Sequence, residues 1–375
     1  MQNPFTDSYR DRVVLITGHT GFKGSWLAIW LRELGARVSG YSLDPPTDPS
    51  NFQACRLDGR VHDVRGDVRD LDRLRQTILR IKPEVVFHLA AQPIVLRSYR
   101  EPKLTIDTNA GGTVNLLEAV RRSGSVRAVV CVTTDKVYED EGWIWGYREI
   151  DRLGGHDPYS VSKAMAELAI SSYRRCYFPP ERFQEHRVSV ASARAGNVIG
   201  GGDWAPYRLV PDCMRALLAN EPIHLRNPHM VRPWQSVLES LSGYLWLGAR
   251  LLGPDGQRYA EAWNLGPQSS HAVTTRELVE KVIGLWGGGR YETGSEQAEQ
   301  ETALLRLNWD KAANRLGWRT AYSWEEAVME TVGWFKRYQA QLSREPAVDM
   351  YGVCAEHIRA YTNRAREQGI LWAGQ

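Results

Sequence analysis

The sequence predicts an α/β protein built on a doubly wound parallel sheet, with a smaller mixed α/β lobe attached. Three observations lead there. Short β-branched apolar runs alternate with helical stretches through the first half of the chain, the rhythm of a parallel sheet flanked by helices. The first run, Val13-Val14-Leu15-Ile16, ends in a glycine turn that opens a helix. Past about residue 195 the rhythm breaks into glycine, proline and short mixed segments, the pattern of a second, smaller lobe.

Size and composition leave room for this. At 375 residues the chain buries a large core, as one large domain or two coupled ones. The net charge is +3 and Lys and Arg are interspersed with acids, so no basic stripe marks a nucleic-acid partner. The five cysteines are scattered, with no Cys-x-x-Cys and no zinc spacing, and no metal site is expected. The N-terminal residues do not read as a secretory signal, and no apolar run reaches the length of a membrane span. The expected setting is the reducing cytoplasm, without a membrane partner.

The first turn reads Thr17-Gly18-His19-Thr20-Gly21-Phe22-Lys23-Gly24, and Ser25 to Leu31 continue with helical apolar content. Gly18 can take a backbone shape that a β-carbon forbids. Gly21 lets a pyrophosphate approach the main chain, and Gly24 lets the helix pack close to the strand. The N–H groups of the first helical turn then face the phosphates. Thr20, Phe22 and Lys23 join the three glycines as candidate dinucleotide contacts. On the glycines alone, a tight β-α turn with no ligand is the other reading.

Ala36 to Asp44 reads as a second parallel strand. Asp44, twenty positions past Gly24, is the candidate ribose ligand, and an acid there disfavours a 2′-phosphate, which favours NAD over NADP. Ser42 competes for the same contact, and a turn aspartate before Pro45-Pro46 is the plainer alternative. Val61 to Asp70 holds a short third strand that runs into a helix cap. Glu84 to Ala91 is a fourth, buried strand whose small end, Ala90-Ala91, leaves room for a cofactor. Asn109 begins a helical stretch to about Arg122, and Arg127 to Thr134 is the fifth strand. In such a sheet ligands sit off the carboxyl ends of the strands.

The fifth strand ends in Thr133-Thr134-Asp135-Lys136. Asp157-Pro158 then opens a helix that sets Tyr159 and Lys163 four apart on one face. A free tyrosine has a pKa near ~10 and is a poor base at neutral pH. A nearby ammonium, or a positively charged nicotinamide, stabilises the phenolate and is expected to lower that pKa. Thr134 can hydrogen-bond the hydroxyl being oxidised.

Taken together, these motifs resemble the extended short-chain dehydrogenase/reductase family, with its Rossmann-type fold, from about Arg12 to Tyr338. Asp135-Lys136 narrows the resemblance. Simple epimerases of the family do not usually carry an ionisable pair there; the sugar-nucleotide 4,6-dehydratases do. Asp-Lys, rather than the Asp-Glu of the deoxythymidine-linked branch, is similar to the cytidine-linked branch that acts on CDP-glucose. Gly18 to Trp26, Ala193 to Trp204, Arg226 to His229 and Arg232 to Gln235 agree with that branch.

The resemblance implies oxidation at C4, loss of water across C5–C6, and return of the hydride to C6, giving a 4-keto-6-deoxy sugar nucleotide. It implies Tyr159 as the base and Asp135 as the acid that protonates the departing C6 hydroxyl. Lys136 stands where the other branch has a carboxylate base; either it is in part an uncharged amine or it works electrostatically on the enolate. The resemblance also implies Asp67 and Val68 flanking the adenine, Asn109 among the cofactor contacts, and Asn197 on the sugar or diphosphate. Arg208 and Arg232 are candidates for the diphosphate, since a guanidinium matches phosphate with two prongs. Leu225 is a candidate wall against the base. A homodimer or homotetramer is implied, pairing the helix after Thr108 and the helix carrying Tyr159 with a partner's copies. A 4-epimerase of the same fold needs only Thr134, Tyr159 and Lys163, and a non-catalytic NAD binder needs none of them; both remain as alternatives.

The expected organisation is a dinucleotide-binding part over 1–195 with a returning strand near 262–266, a substrate lobe over 196–340, and a C-terminal extension over 341–375. Thr274 to Glu277 and Ser323 to Glu326 match capping boxes. Tyr291 to Glu301 reads as a loop and Ala355 to Gln368 as a helix packed on the body.

Overall fold

The computed structural model describes residues 4–267, 273–294, 305–344 and 347–374. Seven strands form the central sheet: β1 (Val13–Thr17), β2 (Arg37–Ser42), β3 (His62–Arg65), β4 (Val85–His88), β5 (Ala128–Val132), β6 (Ser189–Ala195) and β7 (Ala262–Leu265). Their order is β3-β2-β1-β4-β5-β6-β7, and every pairing is parallel. The chain winds outward from β1 to β3, crosses back to β4, and winds the other way. The crevice of a doubly wound sheet lies at that reversal, between β1 and β4. Thr17 pairs with His88 there, so both strands deliver their ends to the same edge.

The helices that position the site are α1 (Phe22–Glu33), α2 (Gly112–Arg121), α3 (Pro158–Cys176), α4 (Leu209–Ala219) and α5 (Val237–Leu252). Two C-terminal helices follow, α6 (Trp324–Leu342) and α7 (Tyr351–Glu367). Helix α1 is buried on every side over Trp26 to Leu31, as a helix with no polar face must be. The sheet covers one side and α7 packs on it from outside. The extension is therefore part of the core. Trp372 stacks between Phe5 and Tyr361, at centroid distances of 5.2 and 5.4 Å. Glu239, fully buried on α5, accepts hydrogen bonds from Tyr361 OH at 2.5 Å and from the Ala321 and Tyr322 amides.

The smaller lobe is made of short paired segments. Val198–Ile199 pairs with Gln235–Ser236, Val231–Arg232 with Val273–Thr274, and Ile223–Leu225 with Tyr291–Thr293. This corrects the loop expected from Tyr291: its first three residues are a parallel partner for an upstream strand, and residues 295–301 lie outside the described part. β7 does return to the sheet beside β6. Both capping boxes form, at Thr274–Glu277 and Ser323–Glu326. One apolar cluster runs from Phe5 through both lobes to Ala373.

Candidate active site

The glycine turn is a contact surface before it is a binding surface. Gly18 has φ +80°, and a β-carbon on it would stand 2.7 Å from the Ala90 amide nitrogen. A β-carbon on Gly24 would stand 2.1 Å from the Gly18 carbonyl oxygen. Only glycine allows the turn, the end of β4 and the start of α1 to meet this closely. Gly21 caps α1 without any side-chain acceptor, so the helix N-terminus keeps its amides for an anion. These features fit a dinucleotide pyrophosphate.

Around the turn, sequence-predicted residues divide by what they hold. Thr20, 3% exposed, bonds Ser42 Oγ at 2.8 Å and the Leu43 carbonyl at 3.0 Å, tying the turn to the end of β2. Asp44 lies two residues past β2, with its side chain 93% exposed and 3.8 Å from Arg65. The buried hydroxyl at the strand end belongs to Ser42. Asp67 is clasped by Arg69 at 2.5 Å, and Val68 is buried where it closes on Gly112. Ala90 and Ala91, half-buried, follow β4 as expected. Asn109 has both ends of its amide in use: Oδ1 accepts from the Gln92 amide at 2.8 Å, and Nδ2 donates to Gln92 O and to Ser162 Oγ. It is a strut that fixes α3 against the end of β4.

Thr134 caps a short 3-10 turn over Asp135–Val137, which is why β5 stops earlier than its apolar run suggests. The Thr134 hydroxyl donates to Asp135 Oδ1 at 2.9 Å and lies near enough to Tyr159 to pull on its pKa. Asp157 caps α3 through the Ser160 amide and Pro158 sits in its first turn, so α3 starts where Tyr159 enters the cluster. Lys163, one turn on, donates to the Val132 carbonyl at 3.3 Å. Thr134, Asp135, Tyr159 and Lys163 are each less than 10% exposed. A β-carbon on Gly196 would stand 2.9 Å from Asp135 Oδ2, so the end of β6, with half-buried Asn197 next in line, closes on the same carboxyl. Lys136 is half-buried beside it.

Burial dominates the electrostatics. It pushes Tyr159 up to about 12, against the Thr134 hydrogen bond and the Arg208 charge that pull it down. The expectation of a lowered phenol is corrected here: burial outweighs the groups that pull it down, while the Lys163 ammonium donates to the Val132 carbonyl and burial takes its own pKa down to about 8. Asp135 is raised, again chiefly by burial, with Lys136, Thr134, Arg232 and Lys23 opposing. A carboxyl raised in this way is suited to donate a proton.

Both arginines reach this cluster. Arg208 is paired with Asp203 at 2.7 Å and acts on Tyr159, and Arg232 is 8% exposed beside Asp135. Lys23 is tied to α5. Its Nζ donates to Tyr244 OH of α5 at 3.2 Å, and burial with Arg208 nearby brings its pKa down to about 7. Phe22 points toward Gly200 of the smaller lobe. Leu225 is a correction: its side chain is 2% exposed in the core, leaving no surface to wall a base. Sequence reasoning missed Tyr244, whose partner is 221 positions away, and Glu167, which extends the spacing of Tyr159 and Lys163 by one more turn. Among the described residues no cluster of three His, Cys, Asp or Glu is placed to hold a metal ion, and no helix is long and apolar enough to cross a membrane.

The chain matches the family model described as GDP-mannose 4,6 dehydratase over residues 15–244. It is 46% identical over 331 residues to a CDP-glucose 4,6-dehydratase of Salmonella typhimurium, covering 88% of this chain and 92% of that protein. Among solved structures, the dTDP-glucose 4,6-dehydratase DesIV of Streptomyces venezuelae, with NAD bound, superposes with a TM-score of 0.72 at 25% identity, over 88% of this chain and 98% of that one. A UDP-glucose 4-epimerase of Thermotoga maritima, with UDP-glucose, has a TM-score of 0.71 at 23% identity over 87% of this chain and 99% of that one, a likeness of fold alone. The chain belongs to the extended short-chain dehydrogenase/reductase family, in the group that the GDP-mannose 4,6 dehydratase model describes.

Proposed function

We propose that this protein is an NAD-dependent sugar-nucleotide 4,6-dehydratase, a hydro-lyase that converts CDP-glucose to CDP-4-keto-6-deoxyglucose. The observation that carries this reading is an acid and a phenol brought together at one strand end: Thr134 donates to Asp135 at 2.9 Å and, from the same position, acts on Tyr159. An oxidation site needs the phenol, and only an elimination site also needs the acid. When bound at the glycine turn, NAD supplies a reversible hydride acceptor, so that hydride taken from C4 is available for C6.

Tyr159 accepts the C4 hydroxyl proton, with Thr134 placed to bond the same hydroxyl. Arg208 lowers the phenol toward that role. The C4 ketone acidifies C5–H, and its proton passes to Lys136 as the proposed base. Asp135, whose pKa burial raises, gives its own proton to the C6 hydroxyl, which leaves as water, and the C5 proton is returned in the last step. Arg232, and Lys136 once it has taken the proton, add positive charge next to the enolate, whose charge such groups stabilise in a site screened from water. Arg208, Arg232 and Asn197 are the proposed sugar-diphosphate contacts. In this reading residues 1–195 with 262–266 hold the dinucleotide, 196–340 hold the nucleotide sugar, and 341–375 buttress α1. The five free thiols suit a reducing cytoplasm. A homodimer or homotetramer through α2 and α3 completes the proposal.

Incubation with NAD and CDP-glucose, followed by mass spectrometry, tests the activity. The expected product is lighter than the substrate by one water. An epimerase leaves the mass unchanged, and that outcome rejects the dehydratase reading.

A further inference from the structure

The turn that carries Thr134, Asp135 and Lys136 is held at both ends by one buried ion pair. At its start, Thr133 Oγ1 donates to Glu167 Oε1 at 2.6 Å. At its end, the Tyr138 hydroxyl accepts from Arg194 Nη1 at 2.7 Å. Glu167 and Arg194 are bonded to each other at 2.7 Å, and each is 3% exposed. Glu167 stands on α3, one turn beyond Lys163 and two beyond Tyr159. Arg194 stands on β6, just before Gly196 closes on Asp135.

A buried pair of this kind is a poor source of net stability, because desolvation offsets the attraction. It is a good source of geometry. The guanidinium fork reaches two partners in fixed directions, which a lysine cannot do. Further capacity is used as well, though Arg194 Nε stays without a partner: Ser192 Oγ donates to Glu167 at 2.8 Å, and Tyr138 OH donates to Asn264 Oδ1 at 2.7 Å. The Tyr138 ring lies under the Arg194 guanidinium at 5.0 Å and stacks on Tyr147 at 5.2 Å.

We propose that Glu167 and Arg194 are positioning residues that lock the elimination turn to the oxidation helix. Tyr159 and Lys163 keep their places through α3 itself. Asp135 and Lys136 stand on a turn held by a few backbone bonds rather than by a helix, and the clamp on Thr133 and Tyr138 registers them against the sugar. Loosening its Tyr138 end lets C4 oxidation proceed while C5–C6 elimination fails. This inference rests on the dehydratase reading.

The test uses full-length Tyr138→Phe, which keeps the ring and its stacking, and Arg194→Lys, which keeps the charge against Glu167 and gives up the second prong. Each is incubated with NAD and CDP-glucose, and the sugar nucleotides are quantified by mass. Oxidation without elimination yields a 4-keto sugar two hydrogens lighter than substrate; completed turnover yields one lighter by a water. The expected result is a rise of at least ~10-fold in the ratio of the first to the second, with total C4 oxidation within ~3-fold of wild type, the scale of one buried hydrogen bond. A ratio equal to wild type in both variants, whether or not the overall rate falls, overturns the clamp. Wild-type protein that yields no water-lighter product overturns the dehydratase reading instead, so the two failures are told apart.

Discussion

At the residue scale the site is a set of charged groups that burial works against. Lys163 is brought down to about 8, so its ammonium is lost within the accessible pH range. If that charge supports the Tyr159 phenolate, C4 oxidation falls as pH rises through about 8, and Lys163→Met shows no such limb and a rate lower by ~10²-fold or more. A pH profile of the single-turnover rate checks both; an unchanged descending limb in the variant assigns it to another group. Much of this site was legible in the chain. Thr134, Asp135, Tyr159 and Lys163 stand at a strand end and on one helical face, and local periodicity places such residues. The burial of Leu225 and the partner of Lys23 were not legible, because one is decided by whether a distant core covers it and the other is a tyrosine on α5. The sign of the Tyr159 shift was hidden too, since spacing shows which charges are near and not how much water is excluded.

At the element scale, strand and helix order followed from the alternation of apolar runs, and β7 was visible as Ala262 to Leu265. The short segments of the smaller lobe were not, because two- and three-residue pairings such as Tyr291–Thr293 against Ile223–Leu225 have no period to read. The extension explains a feature of α1 that looked excessive, an apolar run from Trp26 to Leu31 with no polar face. Its anchor is the buried Glu239. Burial raises that carboxyl to about 7, with the Tyr361, Tyr322 and Ala321 hydrogen bonds opposing. The folded state therefore holds a proton that the unfolded chain releases above its ordinary value of 4.5. The linked stability is complete below that value and is lost as pH rises through about 7, by on the order of 3 kcal/mol. Urea unfolding of wild type and Glu239→Gln at both ends of this window is expected to show the decline in wild type alone. Parallel declines in the two proteins reject the assignment.

At the scale of the whole molecule, α3 has two jobs on opposite sides. Tyr159, Lys163 and Glu167, at i, i+4 and i+8, face inward and are buried. Val161, Met165 and Leu168 lie on the far side, where Met165 and Leu168 are 41% and 60% exposed. Val114, 36% exposed, is on α2, which packs beside α3. Single exposed apolar residues are ordinary, but a stripe along a helix that also holds the proposed catalytic groups is the kind of surface a second copy covers. Pairing there leaves the crevice at β1 and β4 open, because that crevice lies on the catalytic side of α3. A partner there is expected to stiffen the helix on which Tyr159 and Lys163 stand. Leu168→Glu puts a charge at the centre of a two-fold contact, where it meets its own copy and both are desolvated. Light scattering on the eluting protein is expected to give an even-numbered assembly for wild type and a smaller species for the variant. C4 oxidation by that species is expected to weaken without disappearing, since the partner supplies support and no reacting group. A wild-type monomer, or an assembly untouched by Leu168→Glu, places the contact elsewhere and leaves the stripe without a role.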